Sequence, residues 1–381
     1  MEPEVDAIAP PAAPLPTGSG FELPSARQVV GRGLQLALDG NRDIRNVSLY
    51  VGLLVLAVAG PAALLVVVDL PRLFEVNWQL PQIVTPGEMT TLVTLLGPLY
   101  LVGGLALLGV VTVSIDGQLM AATMLAARAA GRPLTMRESL RRARQVFWRY
   151  GGAAFGVGIL STVISTAIGV VLGSLGHGES TGASLVGTLV ATLIVAPFGY
   201  ILTAIVIGDV DGVAALGRSI TLARARPRLA IVVAVFAFLA STFQVFGVGA
   251  ALGVVGQVLS LIDPHVAADA GLLVVIPAVA IALVAFGSLG LTVGAVTAAP
   301  QITAFLGLTH FSAGLDRARA SSTEETPAGS DEPLAEAEVV SYWAEPAKPA
   351  GRTRWVTWPM VALIVLEALL ALAAIGSSLS G

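Results

Sequence analysis

Long apolar runs alternate with short polar segments along nearly the whole chain, and the length of those runs decides its class. A helix that crosses a membrane needs about 20 apolar residues at roughly 1.5 Å of rise each. Seven stretches reach that length: Val47–Val68, Leu92–Val113, Ala153–Leu175, Ala183–Ile207, Leu229–Val255, Gly271–Val296 and Val356–Ile375. The first six contain no charged residue. One such run alone would also suit a buried soluble helix; six together predict membrane spans. The pattern gives an all-α integral membrane protein, a six-helix transmembrane core with a seventh span at the C-terminal end.

The polar segments divide the chain further. Residues 1–24 are acidic and proline-rich, without the basic start and short apolar core of a signal peptide, and read as a disordered cytoplasmic tail. The membrane domain covers residues 25–311. Residues 312–351 are acidic and rich in proline, alanine and serine, and read as a disordered cytoplasmic linker. Residues 352–381 carry the last span. Within the linker, VVSYW (Val339–Trp343) is an apolar cluster that either docks on a partner or the membrane surface, or arises by chance.

Composition adds exclusions more than assignments. Charged residues make up only 12% of the chain and mean hydropathy is +0.84, which overrides the two or three soluble domains that 381 residues would suggest. The absence of cysteine excludes disulfides, thiolate metal sites and cysteine nucleophiles. The net charge of -4 says little, because the charges are segregated along the chain.

That segregation predicts orientation. Basic residues that flank spans stay on the cytoplasmic side. With the N-terminus inside, the arginines before span one, between spans two and three, between spans four and five, and after span six all fall on that side. Only Arg72 falls outside. The expectation is a multi-pass protein of the bacterial inner (plasma) membrane with a cytoplasmic N-terminus and an outer C-terminus. Its outer loops are too short to form a receptor or catalytic head.

The densest basic segment is MRESLRRARQVFWRYGG, Met136–Gly151, just before span three. Thr135 can cap it, with Glu138 completing a capping box, and Glu138 is spaced one turn from Arg142. Met136, Leu140, Ala143 and Phe147 share one face, while Arg137, Arg141 and Arg144 share another. Two further segments resemble it, one capped by Ser25 with Gln28 and one capped by Asp211. In each, the seventh residue after the cap is arginine (Arg32, Arg142, Arg218) and the eighth is small (Gly33, Ala143, Ser219). The chain therefore reads as three units, each an interfacial amphipathic helix followed by two spans, related by an axis along the membrane normal. The expected role of these helices is anchoring to an anionic cytoplasmic leaflet, each arginine contributing on the order of 1 kcal/mol. Arg32, Arg137, Arg141, Arg142, Arg144, Trp148, Arg149, Arg218, Arg224 and Arg226 are the candidate anchors. Clustered arginine also suits nucleic acid, but the positive-inside bias already accounts for it and no nucleic-acid motif accompanies it.

The segment ALGRSITLARARPRLAIVVAVF, Ala215–Phe236, resembles the membrane domain found fused to some glycerophosphoryl diester phosphodiesterases and related stand-alone bacterial polytopic membrane proteins. Pro197, Asp209, Arg218, Ser219 and Leu222 fit the order of that family's motif, and Glu138–Gly151 is a weaker match. The resemblance covers roughly residues 25–312 and implies fold and location. It does not carry the enzyme activity, because the phosphodiesterase domain is missing and His177, His265 and His310 are scattered.

Individual polar residues offer candidate chemistry, each with a plainer reading beside it. Glu367 lies near the middle of span seven, where a carboxylate costs about 2.5 to 3.5 kcal/mol on insertion scales. It either contacts a membrane partner, proton or substrate, or is a protonated structural group. Asp116 and Asp209 follow spans two and four, as a polar cluster that positions the arginine helices or as solvated helix ends. In span three, Ser161, Ser165, Gly169 and Gly173 repeat every four residues and read as a packing face. Pro197, Tyr200 and Thr203 of span four, with Ser241, Thr242 and Gln244 of span five, suggest either a polar midplane cavity or a locally satisfied proline kink. His177 with Glu179, and His265 with Asp263 and Asp269, would form a metal site only if two short outer loops met; such loops usually serve as turns. No phosphate loop or zinc helix motif is present. The sequence thus points to no enzyme and no cofactor. It leaves two classes open: an accessory or scaffold subunit that binds a membrane partner through its C-terminal span, and a transporter or lipid handler with a midplane cavity.

Overall fold

The computed structural model describes residues 25–75, 86–129, 133–174, 181–260, 271–323 and 351–380. Among them the chain is helical throughout, with no strand. The elements are α1 (Ala26–Asp39), α2 (Asn41–Glu75), α3 (Pro86–Ala129), α4 (Met136–Ser174) and α5 (Thr181–Val195). After a 3-10 turn at Ala196–Phe198 come α6 (Ile201–Val206), α7 (Gly212–Ala225), α8 (Pro227–Ser260), α9 (Gly271–Thr323) and α10 (Gly351–Ser380). Seven helical segments are long and apolar enough to cross a membrane, one for each predicted span. The protein is a polytopic, all-α membrane protein.

The capping residues act as their sequence suggests at two of three sites. Ser25 and Gln28 close a reciprocal capping box at the start of α1. Thr135 and Glu138 do the same for α4, the Thr135 amide donating to Glu138 Oε2 at 2.9 Å. Asp211 does not cap α7; its carboxylate lies 3.5 Å from Arg149 instead. A second difference concerns α4. The basic segment expected as a separate interfacial helix runs without a break into span three, forming one helix of 39 residues. No helix breaker separates the two parts; Gly151 and Gly152 are tolerated within the helix. At the other end of the core, α9 continues to Thr323, twelve residues beyond the boundary expected at residue 311. The rest of the linker, VVSYW within it, lies outside the described residues, as do the first tail and both histidine-bearing outer loops.

Consecutive spans of the six-helix core pack side by side, and α9 returns to α2, which closes the ring. The α2–α9 seam is partly polar: the hydroxyls of Ser48 and Thr292 share a hydrogen bond of 3.0 Å, and Ser288 donates to the Ser48 carbonyl at 3.0 Å. Span seven, in α10, lies against α2 and α3. Gly109 of α3 makes that approach possible, because a Cβ there would meet Val58 Cγ1 at 2.1 Å and Leu363 Cδ2 at 2.9 Å. Within the four-residue stripe of span three, Ser161 and Ser165 are half-buried, whereas Gly169 has no neighbouring heavy atom within 4 Å of a Cβ position. Beside it, Ile168 approaches Gly187 of α5. Span three presents Phe155, Ile159, Val163 and Val170 outward, the surface expected of a lipid-facing helix.

The three arginine-bearing helices share one buried register. The residues four and eight places after each cap are buried in all three: Val29 and Gly33, Ser139 and Ala143, Ala215 and Ser219. Gly33 sits against the backbone of Pro300 in α9, where a Cβ would come within 2.6 Å of the proline nitrogen. Ser219 plays the matching part against Pro197. Its hydroxyl donates to the Pro197 carbonyl at 2.7 Å and accepts from the Tyr200 amide at 3.0 Å. Proline cannot continue the hydrogen-bond ladder of a helix, and Ser219 satisfies two of the backbone groups this break releases.

Candidate functional site

The polar chemistry of the described residues gathers at the arginine-rich end of the bundle and divides by direction. Arg32, Arg137, Arg141, Arg224 and Arg226 are exposed. Trp148 is exposed too, packed edge-on against Phe147 with ring centroids 5.2 Å apart. Arg142, Arg144, Arg149 and Arg218 turn into the protein. For the first three, the structure differs from the expected lipid contact in a specific way: each meets a carboxylate.

Asp209 is the hub of one cluster. It occupies the short break between α6 and α7 with φ of 45°, a left-handed conformation that aspartate tolerates better than most residues. Its Oδ1 accepts from Arg149 Nη1 at 2.8 Å and from Arg142 Nη2 at 3.3 Å. Arg142 also donates to the Val206 carbonyl at 3.4 Å, near the end of α6. Arg142 thus pairs across the bundle rather than with Glu138, whose carboxylate closes the capping box. These contacts tie the start of span three to the end of span four.

Asp116 centres the second cluster. It is buried in α3, and its Oδ2 lies 3.5 Å from Nε of Arg144 on α4. Arg144 Nη1 donates to the Thr357 hydroxyl at the start of span seven, at 2.8 Å. Tyr50 of α2 interacts with the same guanidinium. One arginine therefore joins spans one, two, three and seven. The other oxygen of Asp116 is buried and has no hydrogen-bond partner among the described residues. A third pair, Arg128 with Asp43, closes α3 onto the start of α2. Sequence reasoning did not find Thr357, Tyr50 or the Asp43 pair. Asp43 and Arg128 do sit at the facing ends of consecutive spans, which is a usable signal.

Glu367 occupies a different place. It is fully buried, at 0% exposure, beside Ala62 in the seam where α10 meets α2 and α3, a seam whose apolar cluster comprises Ala62, Leu65, Val102, Ala106 and Ala371. Neither carboxyl oxygen forms a hydrogen bond among the described residues, although the backbone of Ala62 acts on the group. Glu367 thus faces its own chain rather than the outer surface of span seven. That surface carries Trp358, Val361, Val365, Leu369 and Leu372.

The midplane residues suggested for a cavity do not all converge. Tyr200 and Thr203 are buried at the break in span four, where Thr203 bonds the Tyr200 carbonyl at 2.9 Å. The Tyr200 hydroxyl is buried and unpartnered among the described residues. Ser241 is exposed, and Gln244 approaches Gly290 of α9. Among the described residues no group of three or more His, Asp or Glu side chains is placed to hold a metal ion. No family model, curated protein or solved structure matches the chain.

Proposed function

We propose that the protein is an accessory or scaffold subunit of the bacterial plasma membrane that engages another membrane protein through its seventh span. The observation that carries this reading is Glu367. A carboxyl group kept at mid-span costs about 2.5 to 3.5 kcal/mol on insertion scales, and among the described residues neither carboxyl oxygen has a hydrogen-bond partner that offsets that cost, the Ala62 backbone lying beside it. A partner span with a hydroxyl, amide or basic side chain at the same depth would satisfy it. On this reading span seven exchanges: it rests on α2 and α3 when the protein is alone and turns Glu367 to the partner when one is present. The Arg144–Thr357 bond near its start acts as the hinge point.

The remaining parts fit this role. The N-terminus lies inside and the C-terminus outside. The exposed arginines and Trp148 rest on the anionic inner leaflet, and the shared buried register of the three arginine-bearing helices supports a reading as three repeated units. The family resemblance of Ala215–Phe236 contributes fold and location only. A second reading, transport or lipid handling, draws on the broken span four and the buried Tyr200 hydroxyl, because discontinuous helices often mark substrate sites.

Gentle extraction from the native membrane separates the two. The full chain is compared with one ending before Arg352, and co-extracted proteins are quantified by mass spectrometry. A stoichiometric membrane protein present with the full chain and lost on truncation is the expected result. A lone protein that carries one enriched lipid or small molecule in both forms would replace the scaffold reading with the second.

A further inference from the structure

Among the described residues Arg218 is the inward-turned arginine without a carboxylate. Arg128, Arg142, Arg144 and Arg149 each lie within 4 Å of an aspartate, whereas no ion pair reaches Arg218 among the described residues. The contrast with Arg142 is direct. Both stand seven residues after the residue that precedes their helix; Arg142 meets Asp209, and Arg218 meets the ring of Phe305, its guanidinium carbon 5.4 Å from the ring centroid.

The surroundings keep that guanidinium in place. Phe305 is 1% exposed, so the platform beneath it is fixed in the core of α9. Gly208 borders it on another side, where a Cβ would come within 3.0 Å of Arg218 Nη1. Burial without a neighbouring anion holds the Arg218 guanidinium below the usual arginine range. The Phe305 ring attracts the cation without taking up a hydrogen-bond donor. Among the described residues its N–H groups enter no ion pair, and their fork matches two oxygens of a phosphate.

We infer that Arg218, seated on Phe305 beside Gly208, is a binding site for a phosphate group at the arginine-rich end of the protein. Two sources supply that chemistry: the headgroup of an anionic phospholipid and free phosphate. The site goes beyond diffuse attraction to a charged leaflet, because it assigns the contact to one half-buried residue and not to the exposed arginines.

The test uses the purified full chain, stripped of lipid and offered equal amounts of phosphatidylglycerol and phosphatidylcholine, with bound lipid counted by native mass spectrometry. Inorganic phosphate alone is titrated in parallel against thermal stability. The expected lipid result is a preference of about tenfold for phosphatidylglycerol that Arg218→Gln removes and Arg137→Gln leaves intact. Arg218→Lys, which keeps the charge without the fork, should retain part of it and serves if the glutamine variant does not fold. Stabilisation by inorganic phosphate that is lost in the same variants would name free phosphate as the source. Lipid preference and phosphate response that are the same in wild type, Arg218→Gln and Arg218→Lys would overturn the assignment.

Discussion

Asp116→Ala is expected to destabilise the protein by about 3 kcal/mol, read as a lowered melting temperature in mild detergent. The cost does not come from losing an attraction. The Asp116 and Arg144 side chains are 2% and 13% exposed, so removing the carboxylate leaves a buried guanidinium with too few partners. Thr357 and Tyr50 still face it, which places the loss at the lower end of the range for a broken buried pair. Asp116→Asn keeps the shape and a hydrogen-bond acceptor and should cost about 1 kcal/mol. The informative variant is the double one. Asp116→Leu with Arg144→Met removes both charges, and stability should return to within about 1 kcal/mol of wild type. A double variant as unstable as Asp116→Ala would mean that Arg144 acts through contacts other than this pair.

Glu367→Leu should move stability the other way, raising it by about 2 to 3 kcal/mol in the isolated protein. Leucine has a similar volume, fits the apolar neighbours Ala62, Leu65, Val102 and Ala106, and leaves no polar atom unbonded. Core substitutions usually destabilise, so a gain of this size marks the native residue as a cost within its own chain. The same variant should weaken retention of a partner, because the group that rewards leaving α2 and α3 is gone. Opposite signs in the two measurements are the signature of an exchanging span. A residue serving only the chain's own fold would lose stability on replacement and leave retention unchanged.

How far the sequence reached depended on the range of each interaction. The seven spans were legible because each is a continuous apolar run, a property local to some 20 residues. The capping boxes at Ser25 and Thr135 were legible for the same reason: donor and acceptor are three residues apart. Asp211 looked like a cap by type, yet its carboxylate turned to Arg149, some sixty residues earlier in the chain. Such competition cannot be seen in a local pattern. The arginines are the clearest case. Positive-inside bias gave their side of the membrane as an expectation but not their direction, and the directions of Arg142, Arg144 and Arg149 depend on where Asp209 and Asp116 arrive after folding. Small residues misled and helped in turn. Gly169 has the right period for packing yet faces open space, whereas Ser219, noted as small and as one of the motif residues, proves to satisfy the break at Pro197.

Whether span seven leaves its own core for a partner is read most directly with a small diazirine residue in place of Leu370. That side chain packs in the seam beside Glu367's neighbours, and a diazirine of similar volume disturbs it little. Light is applied to native membranes and to the purified protein alone. The expected result is an adduct with a second membrane protein in native membranes and a cross-link within the chain, to α2 or α3, after purification. The same intrachain cross-link in both settings, with no second protein attached, would contradict it.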